Sequence, residues 1–417
     1  MQGGLAVLRK FMFFLVIFVM GGLAADVYFV FQPEVVDAAG TALGRTTVLT
    51  SRGSNALFSN PAGLSQLENT TSQIGFRFDV NGHGEGYNSN QSNRHYVNGK
   101  KKYDYHGHAK FTSLSLGVPL SSESDNFRSA IAIGYRTYYD NGYSLKWRVP
   151  YSPNDIEYKE ESHGGFNTIS FGGGVEICRK LSLGIAGNLG VPFSSRYEYS
   201  RLYLENIPDL EIGRDFTFSG NFITCGAVYS FTEKMDLGIV YRSAYDLAYK
   251  FEVDVTRSHP YTIEYSIPDL VALSAQTSII RNLILTCEYQ FCHLTFYKEK
   301  DIKLYENIRE GNSLHFAAEY FYKVPVRLGY FVTSTPKYHD NNYVWENRGR
   351  GYTPKLVKGL TAGTQFKLYS DISLDIVVEY SWLSFEKNDN IGDYFHSTYS
   401  TEDRRFRLCA NLKYEIP

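Results

Sequence analysis

Charged side chains recur at alternate positions within apolar segments, and they are the residues best suited to chemistry in this chain. In TSQIGFRFDV (residues 71–80), Arg77 and Asp79 lie opposite Phe76 and Phe78. Such charges either pair with one another, or an unpaired arginine meets a ligand carboxylate through two parallel hydrogen bonds. We predict Arg77, Arg136 and Arg327 as ligand-binding candidates, and both interpretations stay open. The face predicted to point inward carries Arg77, Arg136, Arg327, Lys367, Arg405, Arg407, Glu176, Glu288, Glu319, Asp375 and Glu379.

The sequence contains no recognised catalytic signature. The chain has no G-x-S-x-G, P-loop or H-E-x-x-H motif, and its FGGGVEI stretch lies within a strand pattern rather than before a helix. We therefore predict no enzyme activity, no catalytic residues and no cofactor. His106 and His108, with His95 nearby, are interpreted either as solvated loop histidines or as ligands to a metal or haem, and we predict no metal site.

The five cysteines are odd in number and show no CxxC spacing. We interpret them as small apolar wall residues, against the alternatives of one disulfide or a metal site. They are Cys178, Cys225, Cys287, Cys292 and Cys409.

The elements that carry these residues alternate with a period of two, which is typical of β-strands. Aromatic residues make up 16% of the chain, with 34 Tyr and 28 Phe, and 36 Gly accompany them. Aromatic enrichment favours strands over helices. We predict fourteen strands, centred near residues 76, 114, 133, 172, 186, 222, 240, 271, 286, 318, 329, 363, 376 and 410.

Connections between these strands alternate strictly between short turns and long polar segments. An outer-membrane barrel has this organisation, with short periplasmic turns and long external loops. The predicted fold class is therefore all-β transmembrane: a closed antiparallel outer-membrane β-barrel of about fourteen strands, with both ends on the short-turn side. A secreted protein of several β-sandwich domains is the alternative. The long connections are predicted near residues 81–108, 140–165, 191–213, 250–263, 297–311, 334–356 and 384–402.

The first residues predict export. Arg9 and Lys10 precede an apolar run that ends in the small residues Ala24 and Ala25, as in a secretory signal peptide. An uncleaved anchor helix is the alternative, although the run is short for one. The net charge of −2 gives no reason to expect nucleic acid as a partner. The predicted domains are a signal peptide (1–25), an N-terminal hatch or plug segment (26–71) and a transmembrane barrel (72–417).

A compact apolar turn precedes the first strand. Its sequence SNALFSNPAGL (residues 54–64) places Asn60, Pro61, Ala62, Gly63 and Leu64 in succession. Asn supports a turn with its side chain, Pro fixes φ and Gly permits close approach. A linker would not need the apolar residues around this turn, so we predict that it is covered inside the barrel. The apolar residues are Leu57, Phe58, Leu64 and Leu67.

Several phrases resemble the FadL/TodX family of outer-membrane transporters for hydrophobic compounds. The resemblance covers roughly residues 37–416, although the last residues, KYEIP, depart from the terminal aromatic residue typical of such barrels. The similar phrases are GRTTVLTSRGSNALFSNPAGL, MDLGIVYRSAYDLAYKFEVDV, IPDLVALSAQTSIIRNLILTCEYQF, VPVRLGYFVTSTP and KGLTAGTQFKLYSDISLDIVVEYSW.

This resemblance implies an outer-membrane channel for passive uptake of hydrophobic small molecules, such as long-chain fatty acids or aromatic hydrocarbons. It implies a hatch at Asn60–Leu64, and release through a shifted hatch or an opening in the wall. The partners would be the hydrophobic ligand, the outer-membrane lipid bilayer and the barrel-assembly machinery. Tyr138, Tyr139, Tyr143 and Trp147 would form either a capture surface or an aromatic girdle. The alternatives are a porin-like structural or interaction barrel associated with protein secretion, and a surface haem or adhesin receptor.

Overall fold

Fourteen antiparallel strands form a closed barrel in the computed structural model. Closure occurs where the first strand pairs with the last, from Thr70 opposite Ile416 to Val80 opposite Phe406. The structure describes residues 35, 37–80, 83–92, 95–105, 108–120, 128–140, 143–149, 156–193, 195–203, 210–253, 261–267, 269–280, 282–292, 297–298, 311–334, 356–391 and 395–416. The barrel strands are β1 Thr70–Val80, β4 His108–Pro119, β5 Ser129–Asp140, β8 Gly165–Cys178, β9 Leu181–Val191, β12 Asn221–Thr232, β13 Met235–Arg242, β16 Leu270–Ile280, β17 Leu283–Cys292, β19 Gly311–Phe321, β20 Pro325–Ser334, β21 Leu356–Lys367, β22 Ile372–Ile391 and β23 Phe395–Ile416.

The two faces of these strands differ as the sequence predicts. Along β5, Ile131 and Ile133 point outward and are about half exposed, whereas Ala130 and Ala132 are buried inside. An apolar belt on the outer surface around a polar interior is the pattern of a lipid-embedded barrel. The predicted strands are confirmed, because each of the fourteen predicted centres falls within one barrel strand.

The long connections, expected to be polar loops, are largely strands themselves. These strands pair with one another in succession, starting on β23 and ending at the short strand Tyr297–Lys298, so the wall continues beyond the apolar belt. Alternating apolar residues are not needed outside the membrane, and the periodic signal used to find strands is therefore weak there. Residues 335–355 lie outside the described part. The additional strands are β2 His83–Ser92, β3 His95–Tyr105, β6 Tyr143–Val149, β7 Ile156–His163, β10 Ser195–Tyr203, β11 Leu210–Ser219, β14 Tyr245–Val253, β15 Tyr261–Ile267 and β18 Tyr297–Lys298.

The segment before β1 folds inside the barrel. It contains the short helix α1 (Ala38–Ala42) and two 3-10 helices, η1 (Gly53–Phe58) and η2 (Pro61–Gln66). Helix α1 contacts β20 to β23, whereas η1 and η2 contact β1, β4, β5, β8, β9 and β12. We refer to residues 37–67 as the plug. The predicted signal peptide and residues 26–34 lie outside the described residues.

No helix in the described part of the chain is long and apolar enough to cross a membrane.

Candidate functional site

The Asn60-Pro61 turn fixes the middle of the plug. Asn60 begins η2: its Oδ1 accepts a hydrogen bond from the Ala62 N–H at 3.1 Å, while its Nδ2 donates to the Val48 carbonyl at 2.8 Å. Pro61 occupies the first helical position, where its missing N–H leaves no bond unmade. One side chain therefore joins the two halves of the plug, as the turn interpretation of Asn60 requires.

Two wall glycines make room for this turn. A Cβ at Gly226 would overlap the Asn60 Oδ1, and a Cβ at Gly184 would overlap the backbone between Pro61 and Ala62. Both glycines face the lumen on neighbouring strands, β12 and β9. Glycine normally weakens a strand, so the close approach of the Asn60 side chain and of the plug backbone explains its presence at these two positions.

Apolar packing covers the second half of the plug. Leu57 and Leu64 are fully buried, and Phe58 and Leu67 are nearly so. They pack with Ala56 of the plug and with small wall residues. Burial of each large side chain contributes about 1.5–3 kcal/mol relative to exposure. These residues are buried as expected, and the wall residues that pack against them are Ala130, Ala132 and Ala186.

Wall carboxylates hold the first half of the plug. Glu379 of β22 accepts two hydrogen bonds from Arg45, at 2.8 Å from Nε and 2.7 Å from Nη2. The Glu288 Oε2 accepts from the backbone N–H groups of Thr47 and Val48 at 2.8 and 2.9 Å. Buried carboxylates are costly unless they are paired and hydrogen-bonded, and the plug supplies part of that pairing alongside Arg407 and Gln290 of the wall.

A third polar contact lies at the end of α1. Gly44 and Arg45 both have positive φ, which ends the helix. The Gly44 N–H donates to the Thr361 Oγ1 at 2.9 Å, and its carbonyl lies 2.7 Å from the His315 Nδ1. Together with the carboxylates, these contacts attach the plug to strands on several sides of the lumen.

Arg327 lies in a buried ion cluster. It donates to Glu319 at 2.8 Å and to Asp375 at 2.5 Å, and Glu319 also accepts from the exposed Arg52 at 3.1 Å. Asp37 of the plug lies near this cluster and caps α1, accepting from the N–H groups of Ala39 and Gly40. Burial, followed by the negative charge of Asp375, raises the pKa of Asp37 to about 7 despite the opposing effect of Arg327.

Arg77 lies in a second ion cluster. It pairs with Asp79 at 2.7 Å and with Asp140, which also pairs with Lys110. Arg407 donates to Asp79 at 3.1 Å. Arg77 and Arg327 thus have carboxylate partners, which corresponds to the paired interpretation of the lumen charges; ligand binding by either residue stays a prediction.

Asp140 lies where the wall is incompletely paired. The β4–β5 ladder ends at Ser113 opposite Arg136. Residues 108–112 of β4 and 137–140 of β5 therefore have no ladder partner on each other's strand, and pairing resumes beyond them between β3 and β6. We call these two stretches the seam. Its described cross-links are side-chain contacts: the Asp140–Lys110 ion pair and a 3.4 Å hydrogen bond from the Thr137 Oγ1 to the Phe111 carbonyl.

An aromatic cluster fills the lumen next to the plug. Tyr138 packs edge to face on Tyr139 and on Phe222, with ring centroids 4.7 and 4.9 Å apart, and Tyr245 stacks on Phe222 at 4.7 Å. The expectation that Tyr138 and Tyr139 belong to a girdle or an external capture surface is wrong. A bulge in β5 between Thr137 and Tyr139 turns both rings inward. The full cluster is Tyr138, Tyr139, Phe166, Phe216, Phe218, Phe222, Tyr245 and Leu247.

Arg136 lies between this cluster and the plug. Its Nη1 donates to the Phe58 carbonyl at 2.8 Å, and its guanidinium lies 4.2 Å from the Tyr138 ring centroid. Arg242 contacts the same tyrosine, through its hydroxyl and its ring. Arg136 differs from Arg77 and Arg327, because none of its described contacts is with a carboxylate.

The remaining predicted residues are less central. Lys367 is exposed at the end of its strand, while Glu176 and Arg405 are half-buried. Cys178 and Cys287 are exposed, and Cys409 is buried. His106 and the side chains of His95, His108, Tyr143, Trp147 and Cys292 lie outside the described part.

Sequence reasoning missed several residues of the site. Arg45 and Asp37 lie in a segment without periodicity, although Asp37 before AAGTA is a recognisable N-cap signal. Arg242 ends β13 and Tyr245 begins β14, and the sequence does not show that the barrel brings them to Tyr138.

Solved structures share this architecture. The chain matches a FadL homologue from Pseudomonas aeruginosa with a TM-score of 0.59 and 12% identity, over 95% of this chain and 100% of that one. It matches the toluene transporter TodX from Pseudomonas putida with a TM-score of 0.54 and 12% identity, over 93% and 100%. The chain has the fold of the FadL and TodX transporters. This FadL-type barrel matches no family model and no curated protein.

Substituting Gly226 tests how closely the plug fits. Gly226→Ala places a methyl group against Asn60, and overpacking of this kind costs about 1–3 kcal/mol. We expect a larger fraction of open channels in planar-bilayer recordings. Gly187→Ala is the matched control, because it adds a methyl group on the outer face, next to the Phe171 ring and away from the plug. Equal open fractions in the two variants would contradict a close fit at Asn60.

Docking of the plug should weaken as pH rises. An exposed carboxyl titrates near 3.8, whereas the pKa of docked Asp37 is about 7. Below about pH 4 the carboxyl group is neutral in both the docked and the undocked plug, and docking is strongest. As pH rises through 7, the docked group loses its proton, and the free energy of docking weakens by at most roughly 4 kcal/mol.

The open fraction should therefore increase between pH 5 and pH 8. Asp37→Asn, which stays neutral and still caps a helix, should remove most of this dependence. The same slope in both proteins would assign the titration to another group.

Proposed function

We propose that the protein is an outer-membrane channel for passive uptake of hydrophobic small molecules, long-chain fatty acids or aromatic hydrocarbons, gated by the N-terminal hatch. The observation that carries this proposal is the combination of a lumen filled by a docked plug with an aromatic cluster beside it. An aqueous porin would keep an open polar channel through the same space. The fold shared with solved FadL and TodX structures supports the same function.

Apolar recognition follows from the aromatic cluster. A hydrophobic molecule that reaches the lumen can exchange contacts with water for contacts with Phe and Tyr rings, and large aromatic side chains dominate such binding. These rings lie on β5, β8, β11, β12 and β14, so several strands position the pocket. Uptake of this kind needs no energy source, because the ligand moves down its own gradient.

The hatch is proposed to gate by moving as a connected unit. Asn60 links the two halves of the plug. Hydrogen bonds to wall carboxylates hold the first half against the wall, and close contacts at the wall glycines hold the second half. Asn60, Pro61, Ala62, Gly63 and Leu64 are the gate residues in this proposal. Most plug–wall contacts are individually modest, so release of a few of them is compatible with opening.

Removing the plug tests the gate. Deletion of residues 37–66 should raise single-channel conductance and abolish retention of a bound hydrocarbon probe such as toluene, because the lumen loses the segment that fills it. Conductance in planar bilayers and equilibrium binding in lipid nanodiscs measure the two effects. The Gly187→Ala barrel serves as the intact control, and unchanged conductance after deletion would reject the gate.

The seam between β4 and β5 is the proposed exit into the bilayer. It interrupts the ladder beside Tyr138 and Tyr139, so a molecule leaving the aromatic cluster meets a stretch of the described wall without β4–β5 pairing. Separation there breaks side-chain contacts and no described β4–β5 ladder hydrogen bonds. Phe111 and Tyr135, stacked at 5.7 Å, lie near its outer edge.

A cross-link across the seam tests this exit. Phe111→Cys with Thr137→Cys, joined by a short thiol cross-linker in a background without other cysteines, should lower the rate of toluene uptake into vesicles. Leu116→Cys with Ile133→Cys is the matched control, because these residues already face each other across a complete ladder. Equal uptake by the two cross-linked barrels would exclude the seam as the route.

A further inference from the structure

Seven charged side chains alternate in sign along one side of the lumen, and their ion pairs connect the plug to the seam. At the plug, Arg45 donates to Glu379 of β22 at 2.7 Å. At the seam, Asp140 of β5 pairs with Lys110 of β4. We call this series the ion chain, and its members in order are Arg45, Glu379, Arg407, Asp79, Arg77, Asp140 and Lys110.

The middle of the ion chain follows the ladders that close the barrel. Arg407 of β23 lies between Glu379, at 3.5 Å, and Asp79, at 3.1 Å. Its backbone is directly opposite both carboxylate residues, across β22 on one side and β1 on the other. The second oxygen of Asp79 pairs with Arg77 at 2.7 Å. The ion chain therefore passes from strand to strand without a gap.

Two members of the ion chain carry the same charge at facing positions. Arg77 and Lys110 lie opposite each other on β1 and β4. Like charges at such positions destabilise a ladder. Asp140 contacts both cations from β5, on the other side of the seam. Two ion pairs therefore hold β5 to the strands across the seam, and both end on one carboxylate.

Sharing of carboxylates makes the two ends of the ion chain depend on each other. Its four cations and three carboxylates place each carboxylate between two cations. Without the cation on the plug, three of each remain and can pair one to one. Asp140 then keeps Lys110, while Arg77 pairs with Asp79, so one of the two ion pairs across the seam is lost. Arg77 is 4% exposed and Glu379 1%, and charges interact more strongly in such surroundings than in water.

We propose that the ion chain couples docking of the plug to closure of the seam. Glu379 is the positioning residue of this coupling, because it links Arg45 of the plug to Arg407 of the wall. The inference rests on the proposed function, since it concerns the proposed gate and the proposed exit, and it adds that the two open together. Release of Arg45 lets the ion chain rearrange and removes the contact between Arg77 and Asp140. Coupling between two sites is reciprocal, so loss of the seam contact also weakens docking of the plug.

Spin labels on the outer face measure the width of the seam without any ligand. Nitroxides are attached to Phe111→Cys and Thr137→Cys in the full chain without other cysteines, in lipid nanodiscs. Arg45→Met should raise the fraction of weakly coupled spin pairs roughly threefold or more, the smallest effect of a typical coupled pair. Labels at Leu116→Cys and Ile133→Cys, across the complete part of the ladder, should show no change. Heat-modified electrophoretic mobility checks that each barrel is folded.

A second wall glutamate provides the matched control. Glu288 also holds the plug, through the N–H groups of Thr47 and Val48, and none of its described hydrogen bonds joins the ion chain. Glu288→Gln weakens docking but leaves Arg45 in place whenever the plug is docked. The spin coupling across the seam should therefore stay as in the wild-type barrel.

Substitution at the seam tests the coupling in the opposite direction. The described ion pairs of Asp140 are with Arg77 and Lys110 of the wall. Asp140→Asn should nevertheless raise the open fraction in planar-bilayer recordings roughly threefold or more, because the ion chain loses its last shared carboxylate. Glu198→Gln removes an exposed carboxylate that pairs with Arg196 outside the ion chain, and it should leave the open fraction unchanged.

The double variant measures the coupling itself. If the two sites act through one ion chain, Arg45→Met combined with Asp140→Asn should raise the open fraction at least about threefold less than the product of the two single effects. A double variant equal to that product would overturn the inference, as would equal changes in spin coupling from Arg45→Met and Glu288→Gln.

Toluene uptake tests the proposed function separately, because the spin and conductance measurements contain no ligand. A barrel that shows the coupling and takes up no toluene keeps the ion chain and loses the transport function. A barrel that takes up toluene without the coupling keeps the transport function and loses the ion chain.

Discussion

The ladder between β1 and β23 is the contact on which the rest of the structure depends. In a bilayer, each backbone N–H and C=O must find its partner within the protein, so a sheet that crosses it has to close. Eleven consecutive residue pairs, from Thr70 opposite Ile416 to Val80 opposite Phe406, complete that closure. Closure also creates an enclosed lumen, and the remaining features of this chain concern how that lumen is filled.

The plug fits because the wall and the segment complement each other in shape and in charge. Glycines on β9 and β12 accept the Asn60-Pro61 turn, while Glu288 and Glu379 satisfy backbone and side-chain donors of the first half. The wall carboxylates and the plug need each other, because a buried carboxylate without its donors is costly and the apolar residues of the plug would otherwise face water. The plug and the wall therefore stabilise each other, although no single contact is large.

Three arginines that look alike in the sequence have different surroundings. Arg77 and Arg327 each pair with two lumen carboxylates, and those contacts account for their charge. Arg136 faces a plug carbonyl and aromatic rings, and its neighbours Ser113 and Thr168 have unpaired hydroxyls. The position of the seam adds to this asymmetry, because the part of β5 that does not pair with β4 begins directly after Arg136. Arg136 and the seam thus occur on the same strand.

Period-two alternation was sufficient to locate all fourteen barrel strands and to assign most charged residues to the lumen, because lipid on one side and a polar interior on the other impose that pattern on every strand. It failed for the strands beyond the membrane, where that constraint is absent. The Asn60-Pro61 turn, with its apolar neighbours, could also be predicted from the sequence, since its residue types favour one local geometry. Which charges pair was decided only by the tertiary structure: Arg45 meets Glu379 across more than 300 residues, and a bulge turns Tyr138 and Tyr139 inward beside Arg136. Strand register and bulges determine which side chains come into contact, and both depend on closure of the whole barrel rather than on any local stretch of sequence.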